Sequence, residues 1–473
     1  MTVSAKHRAM WLQEVPDVAA PPQPPLEGNA RADIAIIGGG YVGLWTALRI
    51  KEHDPACDVA VLEQDICGGG ASGRNGGFVL SWWAKIATME KLFGAADAVS
   101  LGRASEDAIS EISRFCIAHG IDAHFRQSGW LWTATTAAQR GAWGKPAQAC
   151  ERLGVNAFVR LSDAEVARRA GSATHVAGIL ETCGATVQPA ALVRGLRRVA
   201  LERGVRIYEN THIMRIGRER PCILHARRGT LRAGRVVIAT NGAAANLPEL
   251  ARALVIISSD IVATAPIPER LAQIGWSGGE AITDSQQMVD YYRTTRDGRI
   301  AFGKGAGRVA YAGNIGAEFD RNAPRIPEVL ADFHRYYPTL CDVPITHDWS
   351  GPVDRSADGM PLLGHLGARP GVPHSGHEHI LYGVGWSGNG VGPSVVGGRV
   401  LASLALARKD EWSACPLVNR AIPTLPREPV RYIGAWLVRN AIKRKESAEA
   451  NAREPSRIDV ALSHLAPSGL EDH

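Results

Sequence analysis

The stretch Asp33-Ile-Ala-Ile-Ile-Gly-Gly-Gly-Tyr-Val-Gly43 decides the fold of this chain. Its apolar, β-branched part, residues 34–37, predicts one buried parallel strand. Gly38, Gly40 and Gly43 follow with the spacing G-x-G-x-x-G. In such a unit the first glycine makes the tight turn, the second admits a pyrophosphate, and the third lets a helix pack on the strand.

The residues after the glycines complete the pattern. An apolar segment, 44–50, predicts a helix, and its free N–H groups and dipole favour the negative charge of a pyrophosphate. A second strand, 59–62, ends at Glu63, whose carboxylate can accept hydrogen bonds from both ribose hydroxyls. The order of strand, helix, strand and acid predicts a dinucleotide site. The alternative is an ordinary βαβ turn.

The composition excludes several classes of protein. With 473 residues and 45% hydrophobic residues, the chain is long enough for more than one domain with a large core. The net charge of +6 is modest for this length and gives no reason to expect nucleic acid binding. No apolar run approaches a membrane span, and no secretory h-region is present, so we expect a cytoplasmic protein. The eight cysteines lack a C-x-x-C pair, and no metal site is predicted.

Two kinds of pattern alternate along the chain. The beginning, middle and end have the character of α/β structure, whereas residues 255–313 are rich in strand-like segments with a hairpin turn at 296–298. This arrangement predicts a two-domain α/β (α+β) fold, with a substrate domain inserted into a cofactor domain. The predicted boundaries are an arm at 1–30, a cofactor domain at 31–95, 175–250 and 350–408, a substrate domain at 96–174 and 251–349, and a helical tail at 409–473.

Four motifs occur in an order that resembles one enzyme superfamily. They are the glycine fingerprint with Glu63, the loop Gly70-Ala-Ser-Gly-Arg-Asn-Gly-Gly77, the strand at 236–242 and the glycine-rich segment at 383–392. Together they resemble the D-amino-acid oxidase superfamily, and most of all its γ-glutamylputrescine oxidase branch, over about residues 8–410. The resemblance implies a Rossmann-like FAD-binding domain with an inserted antiparallel β-sheet substrate domain.

The resemblance also implies three groups of FAD contacts. The nucleotide end is assigned to Gly38, Gly40, Tyr41, Val42, Gly43, Glu63, Gln64 and, through its backbone, Ile213. The diphosphate and ring are assigned to Ser72, Arg74, Asn75, Gly76 and Gly77. Thr240, Asn241 and Gly242, in the turn that ends a buried strand, are also predicted to bind the cofactor. The pyrimidine edge of the ring is assigned to Gly385, Trp386, Gly388, Asn389, Gly390 and Val391.

The glycine-rich segment at 385–391 is also expected on physical grounds to stabilise negative charge on the flavin. Main-chain N–H groups there, and the N-terminus of a helix predicted from about Ser394, would stabilise negative charge at N1 and the C2 carbonyl of the flavin. The alternative is an ordinary strand-to-helix turn.

The substrate side departs from the amino-acid oxidases. Relatives acting on α-amino acids carry Gly-Leu-Arg-Pro, whose arginine binds the substrate carboxylate, whereas here Val353 stands in that position and Arg355 follows two residues later. Arg355 faces the same side only if the strand is regular. The departure favours an amine without a neighbouring carboxylate, although the Gly-Pro-Val-Asp-Arg-Ser form also resembles oxidases associated with aminophosphonates.

The expected reaction follows from the resemblance. A primary or secondary amine is oxidised to an imine by hydride transfer to flavin N5, the imine hydrolyses to an aldehyde, and O2 or another acceptor reoxidises the flavin. No histidine or cysteine matches the positions of covalent attachment, so noncovalent FAD is expected. Open alternatives are an amino-acid or aminophosphonate oxidase, a non-catalytic flavoprotein subunit of a complex and an NAD-dependent dehydrogenase. A homo-oligomer is compatible with the sequence.

Few side chains are needed for hydride transfer beyond those that orient and desolvate the amine. The aromatic candidates are Trp386, Tyr291, Trp349, Trp82, Trp83 and Tyr292. Lys304 is a candidate for the positive charge that assists electron transfer to O2.

Overall fold

The computed structural model describes residues 7–15, 21–367 and 377–467. The strands are β1 (Gly28–Ile37), β2 (Val59–Leu62), β3 (Phe78–Val79), β4 (Trp130–Ala134), β5 (Phe158–Arg160), β6 (Ala177–Glu181), β7 (Ala185–Thr186), β8 (Arg206–Tyr208), β9 (Ile213–Ile216), β10 (Cys222–Ala226), β11 (Gly229–Ile238), β12 (Leu254–Thr264), β13 (Ala281–Thr283), β14 (Asp290–Thr294), β15 (Ile300–Lys304), β16 (Ile345–Ser356), β17 (Leu362–His365) and β18 (Ile380–Val384). The helices are α1 (Met10–Gln13), α2 (Tyr41–His53), α3 (Ile86–Phe93), α4 (Ala95–Ala118), α5 (Gly144–Arg152), α6 (Asp163–Ala170), α7 (Pro189–Glu202), α8 (Pro268–Gln273), α9 (Ile326–Tyr336), α10 (Pro393–Ala405), α11 (Val430–Ala450) and α12 (Arg457–Ser463).

The first sheet carries the glycine fingerprint. Its strand order is β17-β18-β11-β1-β2-β8, with β10 and β9 attached beside β11. Strand β1 pairs in parallel with β2 and with β11, as the apolar run at 34–37 predicts for a strand buried on both faces. Helices α2, α4, α7 and α10 share one hydrophobic core on this sheet. The resulting α/β architecture is the predicted one.

The second sheet has the order β16-β12-β15-β14-β13-β4-β6-β5 and is largely antiparallel. Strand β12 pairs with β16 along its whole length and with β15 on its other side. Helix α9 covers this sheet with an aromatic core that includes Phe302, Phe333 and Tyr336. The two sheets match the predicted two-domain fold.

Three of the predicted domain boundaries do not coincide with the sheets. Strand β6 was placed in the cofactor domain, but it pairs with β4 in the second sheet. Residues 350–356 of β16 are also predicted for the cofactor domain, but this strand pairs with β12 in the second sheet. Helix α4 was placed in the substrate domain, but its apolar stripe packs in the core of the first sheet, together with α2 and α10. Segments that are adjacent in sequence therefore serve different sheets, because long-range pairing rather than local pattern assigns a strand.

Both ends of the described chain pack on this body. Trp11 of α1 is buried, so the N-terminal arm is part of the core there. Helix α11 inserts Glu446 beside β14, where its carboxylate accepts a hydrogen bond from the N–H of Met288 at 2.9 Å. None of the helices in the described ranges is long and apolar enough to cross a membrane.

Candidate active site

The glycine turn between β1 and α2 leaves no room for side chains. Gly38 has φ of +112°, and a Cβ there would lie 2.3 Å from the carbonyl oxygen of Ala239. A Cβ on Gly43 would lie 2.0 Å from the carbonyl oxygen of Gly38. Both positions therefore require glycine for the close packing that the sequence predicts.

The N-terminus of α2 offers unpaired donors. The N–H of Tyr41 donates to Oγ of Ser72 at 3.0 Å, which brings the loop at 72–77 to the helix end. No described residue accepts the N–H of Gly40, Val42 or Gly43. Free N–H groups at a helix N-terminus form a site for an anion such as a diphosphate.

The predicted nucleotide end comes together beside β2. The carboxylate of Glu63 accepts the N–H of Gly39 at 2.8 Å and that of Asp65 at 2.9 Å, which fixes its orientation. The carbonyl oxygen of Glu63 accepts the N–H of Thr211 at 2.7 Å, which places the start of β9, at Ile213, next to this edge. Gln64 contacts the imidazole of His212 on the same side.

Two tryptophans hold the loop at 72–77. The indole N–H of Trp11 donates to the carbonyl oxygen of Asn75 at 2.9 Å, and that of Trp349 donates to the carbonyl oxygen of Arg74 at 2.7 Å. The side chain of Asn75 closes the turn by accepting the N–H of Gly77 at 2.8 Å. The loop is thus fixed from the N-terminal arm and from β16 at once.

The guanidinium of Arg74 forms its hydrogen bonds and its ion pair with other groups of the protein. It donates to the carbonyl oxygens of Gly69 at 3.0 Å and Ser350 at 3.1 Å and to that of His7, and it pairs with the carboxylate of Asp320 at 3.2 Å. Burial lowers its pKa. Arg74 lines the cavity described below, as predicted for this loop, but its charge joins β16 to the first domain.

One cavity runs from the α2 N-terminus to the second sheet. Of the assigned FAD contacts, its walls include Tyr41, Val42, Ser72, Arg74, Asn75, Gly76, Asn241, Trp386, Gly388, Asn389, Gly390 and Val391. From the second sheet it includes Ile257, Ser259, Ile261, Thr283, Tyr291, Gly351, Val353 and Arg355, and just before β14 it includes Val289. The charged residues among the described walls are Arg74, Asp354 and Arg355. The cavity therefore joins the predicted cofactor residues to a mostly uncharged wall of the substrate sheet, whose charged members are Asp354 and Arg355 of β16.

Tyr291 is the aromatic candidate that best fits this wall. Its hydroxyl lies 2.7 Å from Oγ of Ser259, and its ring faces Gly76, where a Cβ would lie 3.0 Å from the ring. Burial raises the pKa of Tyr291, so the phenol stays neutral. Ser259, which sequence reasoning missed, fixes the orientation of the hydroxyl.

Trp386 contributes to the cavity in a different way. A Cβ at Gly397 of α10 would lie 2.4 Å from Cη2 of Trp386, so the tip of the indole packs against that helix. Trp386 also lines the cavity, and a Cβ at Gly390 would lie 3.4 Å from its Cβ. The role of Trp386 is mainly to pack the loop on α10.

The other predicted catalytic side chains do not reach the cavity. Trp349 is fully buried between Trp11 and the loop at Arg74. Lys304 faces α9 and pairs with Asp290 at 3.1 Å and Asp332 at 2.8 Å. Alternation along β15 explains this, because Lys304 shares a face with Phe302, which packs in the core under α9. Lys304 and Trp349, both predicted for catalysis, therefore do not line the cavity.

Three further aromatic candidates, and the turn residues Thr240 and Gly242, also lie outside the cavity walls. Trp82, Trp83 and Tyr292 belong to the buried cores of the two sheets. Of the turn at 240–242, Asn241 is the residue that lines the cavity. Asn241 has φ of 48°, and its side chain accepts the N–H of Gly242 at 2.7 Å.

Some backbone N–H groups of the segment at 385–391 are hydrogen-bonded within the protein, and others are unpaired. The N–H groups of Gly385 and Trp386 donate to the carboxylate of Asp354, at 2.6 and 3.1 Å. The N–H of Ser387 donates to the carbonyl oxygen of Asp354, and that of Asn389 to the carbonyl oxygen of Trp386. Among the described residues none accepts the N–H of Gly388, Gly390 or Val391. These three donors, rather than the whole segment, are available to a bound group.

The comparisons with known proteins agree with this geometry. A model of the family described as DAO, FAD dependent oxidoreductase, matches residues 33–404. The chain belongs to this family of FAD-dependent oxidoreductases. It is 32% identical over 411 residues to a probable oxidoreductase OrdL of Rhizobium meliloti, covering 85% of this chain and 89% of that one. It is 28% identical to the gamma-glutamylputrescine oxidoreductase of Escherichia coli, covering 82% of this chain and 87% of that one.

Solved structures share the fold of this FAD-dependent oxidoreductase. Glycine oxidase from Geobacillus kaustophilus superposes with a TM-score of 0.65 at 20% identity, covering 83% of this chain and all of that one. L-proline dehydrogenase from P. horikoshii gives 0.63 at 19% identity, covering 83% and 98%. The unpaired N–H groups of α2, the side-chain-free turn at Gly38 and the adjoining cavity fit the FAD of this family.

Proposed function

We propose that this protein oxidises the C–N bond of a primary or secondary amine without a carboxylate on the reacting carbon. The observation that carries the proposal is Val353 in the cavity wall, at the position where the amino-acid-oxidising relatives have their arginine. Bound FAD supplies the hydride acceptor, and the product imine hydrolyses to an aldehyde. The relative named for gamma-glutamylputrescine supports an amine as the substrate.

The residues of the cavity favour a neutral amine. Asp354 is the acidic residue among the described walls, and its carboxylate is already engaged by the two N–H groups of the loop. An ammonium group would enter the cavity without a free carboxylate to balance its charge, which is costly. The protein therefore selects the uncharged amine, whose lone pair assists loss of hydride from the neighbouring carbon.

The residues of the second sheet orient the amine and exclude water. Ile257, Ile261 and Val353 provide the apolar surface, and the Tyr291 hydroxyl, held by Ser259, provides a hydrogen-bonding group. Orientation and desolvation are the contributions that hydride transfer needs from a protein. The loop at 72–77 and the donors of Gly388, Gly390 and Val391 hold the cofactor on the opposite side.

A second candidate is an amine that carries a more distant anionic group, such as a carboxylate or a phosphonate. Arg355 favours it, because this residue lies two positions along β16 from Val353 and also lines the cavity. Two strand residues correspond to about 6.6 Å, so such an anion would lie away from the reacting carbon.

Anaerobic reduction of the bound flavin tests both candidates. Polyamines, α-amino acids and aminophosphonates are added to the purified protein, and loss of the visible flavin absorbance is recorded. Bleaching by amines but not by α-amino acids supports the proposal. A flavin that none of these compounds reduces would favour a non-catalytic subunit instead.

A further inference from the structure

Asp354 lies where three segments of the site meet. Its Oδ2 accepts the N–H of Gly385 at 2.6 Å, and its Oδ1 accepts the N–H of Trp386 at 3.1 Å and the amide of Asn241 at 3.0 Å. The residue belongs to β16, Gly385 follows β18, and Asn241 follows β11. The carboxylate thus joins the substrate sheet to the two turns that line the cofactor side of the cavity.

The contacts around Asp354 are all to uncharged groups. Its carboxylate is 1% exposed, and burial raises its pKa to about 7. The segment at 385–392 and the turn at 239–242 contain no ionisable side chain, and Arg355 projects to the opposite face of β16. A buried carboxyl without an ion pair is held by its hydrogen bonds, so its geometry depends on those donors and theirs on it.

The backbone of the loop shows what Asp354 achieves. Gly385, Ser387 and Gly388 have φ of 80°, 53° and 94°, so the chain here is in the left-handed region at three of four residues. Ser387 is not glycine, and a residue with a side chain adopts this conformation rarely and at a cost in free energy. The bonds from Gly385 and Trp386 to the carboxylate, and from Ser387 to the carbonyl oxygen of Asp354, hold this turn in place.

We propose that Asp354 is a positioning residue, which holds the turn at 385–387 so that the N–H groups of Gly388, Gly390 and Val391 face the flavin end of FAD. The side chain does not touch the cofactor in this arrangement. Its carboxylate accepts the N–H groups of Gly385 and Trp386. The turn that these bonds hold leaves the later N–H groups of the loop unpaired beside the cavity. The adenosine end of FAD depends instead on α2 and Glu63.

Asp354→Asn is a substitution of equal size that breaks this arrangement. If the new amide nitrogen replaces Oδ2, it faces the N–H of Gly385, and if it replaces Oδ1, it faces the N–H of Trp386 and the amide of Asn241. Two donors then oppose each other in either orientation. Asn241 cannot readily turn its oxygen to compensate, because that oxygen accepts the N–H of Gly242.

Binding of FAD and of ADP to the apoproteins, measured by titration calorimetry, separates positioning of the loop from general damage. ADP occupies only the nucleotide end, so Asp354→Asn should weaken FAD binding about tenfold or more and change ADP binding by less than about twofold. Glu63→Gln should weaken both ligands. Asp284→Asn is the matched control, since Asp284 is also fully buried and accepts backbone N–H groups, from Gln286 and Asp290, outside the cavity walls.

Amide hydrogen exchange gives a second readout that needs no ligand. Peptides covering 385–391 should exchange faster in Asp354→Asn apoprotein, whereas those covering α2 should not change. If Asp354→Asn does not fold, Asp354→Glu is used, because its extra methylene displaces the turn while keeping the carboxylate, and the same contrast between FAD and ADP is expected. Equal weakening of FAD and ADP, or no weakening of either, would overturn the proposal. Neither measurement involves turnover, so the outcome is independent of the proposed amine oxidation.

Discussion

Val353 and Arg355 lie on the same face of β16 and line the cavity, while the side chain of Asp354 between them points to the other face, toward Asn241 and Gly385 at the edge of the same cavity. The strand is regular at this point, with Val353 opposite Ile257 and Arg355 opposite Val255. The sequence left open whether Arg355 faces the substrate, because this required a regular strand. Strand alternation places Arg355 on the cavity face of β16, two residues beyond Val353.

We expect Arg355→Leu to distinguish between amine substrates. Turnover of amines with a distant carboxylate or phosphonate should fall more than about tenfold in kcat/KM, because a charge-assisted bond is lost. Turnover of uncharged amines should change little. Glycine or D-alanine should be poor substrates of both proteins, since Val353 offers their carboxylate no partner. Oxidation of glycine by the unmodified protein at the rate of the best amine would contradict this.

FAD should dissociate when the protein is denatured. None of the described residues that line the cavity is a cysteine or a histidine, the residue types expected for covalent attachment in relatives. After acid precipitation, the yellow colour should be in the supernatant. Colour that stays with the precipitated chain would show a covalent bond.

Replacing Glu63 by glutamine should weaken FAD retention. The carboxylate is held in place by the N–H groups of Gly39 and Asp65, and its hydrogen bonds to ribose hydroxyls would be worth about 1.5–3 kcal/mol each. The dissociation constant for FAD should therefore rise by about tenfold or more. Glu27→Gln, at an exposed pair with Arg228, serves as a control and should leave it unchanged. A normal constant for Glu63→Gln would exclude Glu63 as the ribose ligand.

Gly390→Val should lower the midpoint potential of the flavin. A Cβ at Gly390 would lie 3.4 Å from Cβ of Trp386, which is ordinary contact, so we expect the shift of the backbone to come from the two γ-methyl groups that valine adds. Loss of one donor aimed at developing charge costs about 3 kcal/mol, or a hundredfold or more in rate. FAD should remain bound through α2 and Glu63. Gly434→Val on the surface of α11 is the control, since no atom lies within 4 Å of a Cβ there.

The stability of the apoprotein should depend on Glu446 in a defined pH window. Burial raises the pKa of Glu446 from 4.5 to about 7. Between these values the folded chain holds a proton that the unfolded chain has lost, so raising the pH through this window costs stability, on the order of 3 kcal/mol. The melting temperature should therefore fall relative to that of Glu446→Gln between pH of about 4.5 and about 7. The exposed Glu454→Gln should follow the unmodified protein, and parallel curves for all three would contradict the assignment.

The local patterns of the sequence were sufficient for the first sheet and its turn. The run at 34–37, the glycines at 38, 40 and 43 and the acid at 63 determine a strand, a turn and a strand end within about thirty residues. The absence of an arginine at Val353 was equally readable. These features depend on chain stiffness, backbone sterics and hydrophobic periodicity, which act over short distances.

The tertiary structure decided which side chains meet in the cavity. Lys304 faces α9, and Trp349 packs against Trp11. Strand alternation alone shows which residues share a face, but not which element packs on that face. The guanidinium of Arg74 donates to the carbonyl oxygen of Ser350, which is distant in sequence. The carboxylate of Asp354 accepts the N–H of Gly385, which lies 31 residues later. Such contacts depend on how two sheets pair and pack, and pairing between distant segments leaves no periodic signal in the residues that take part.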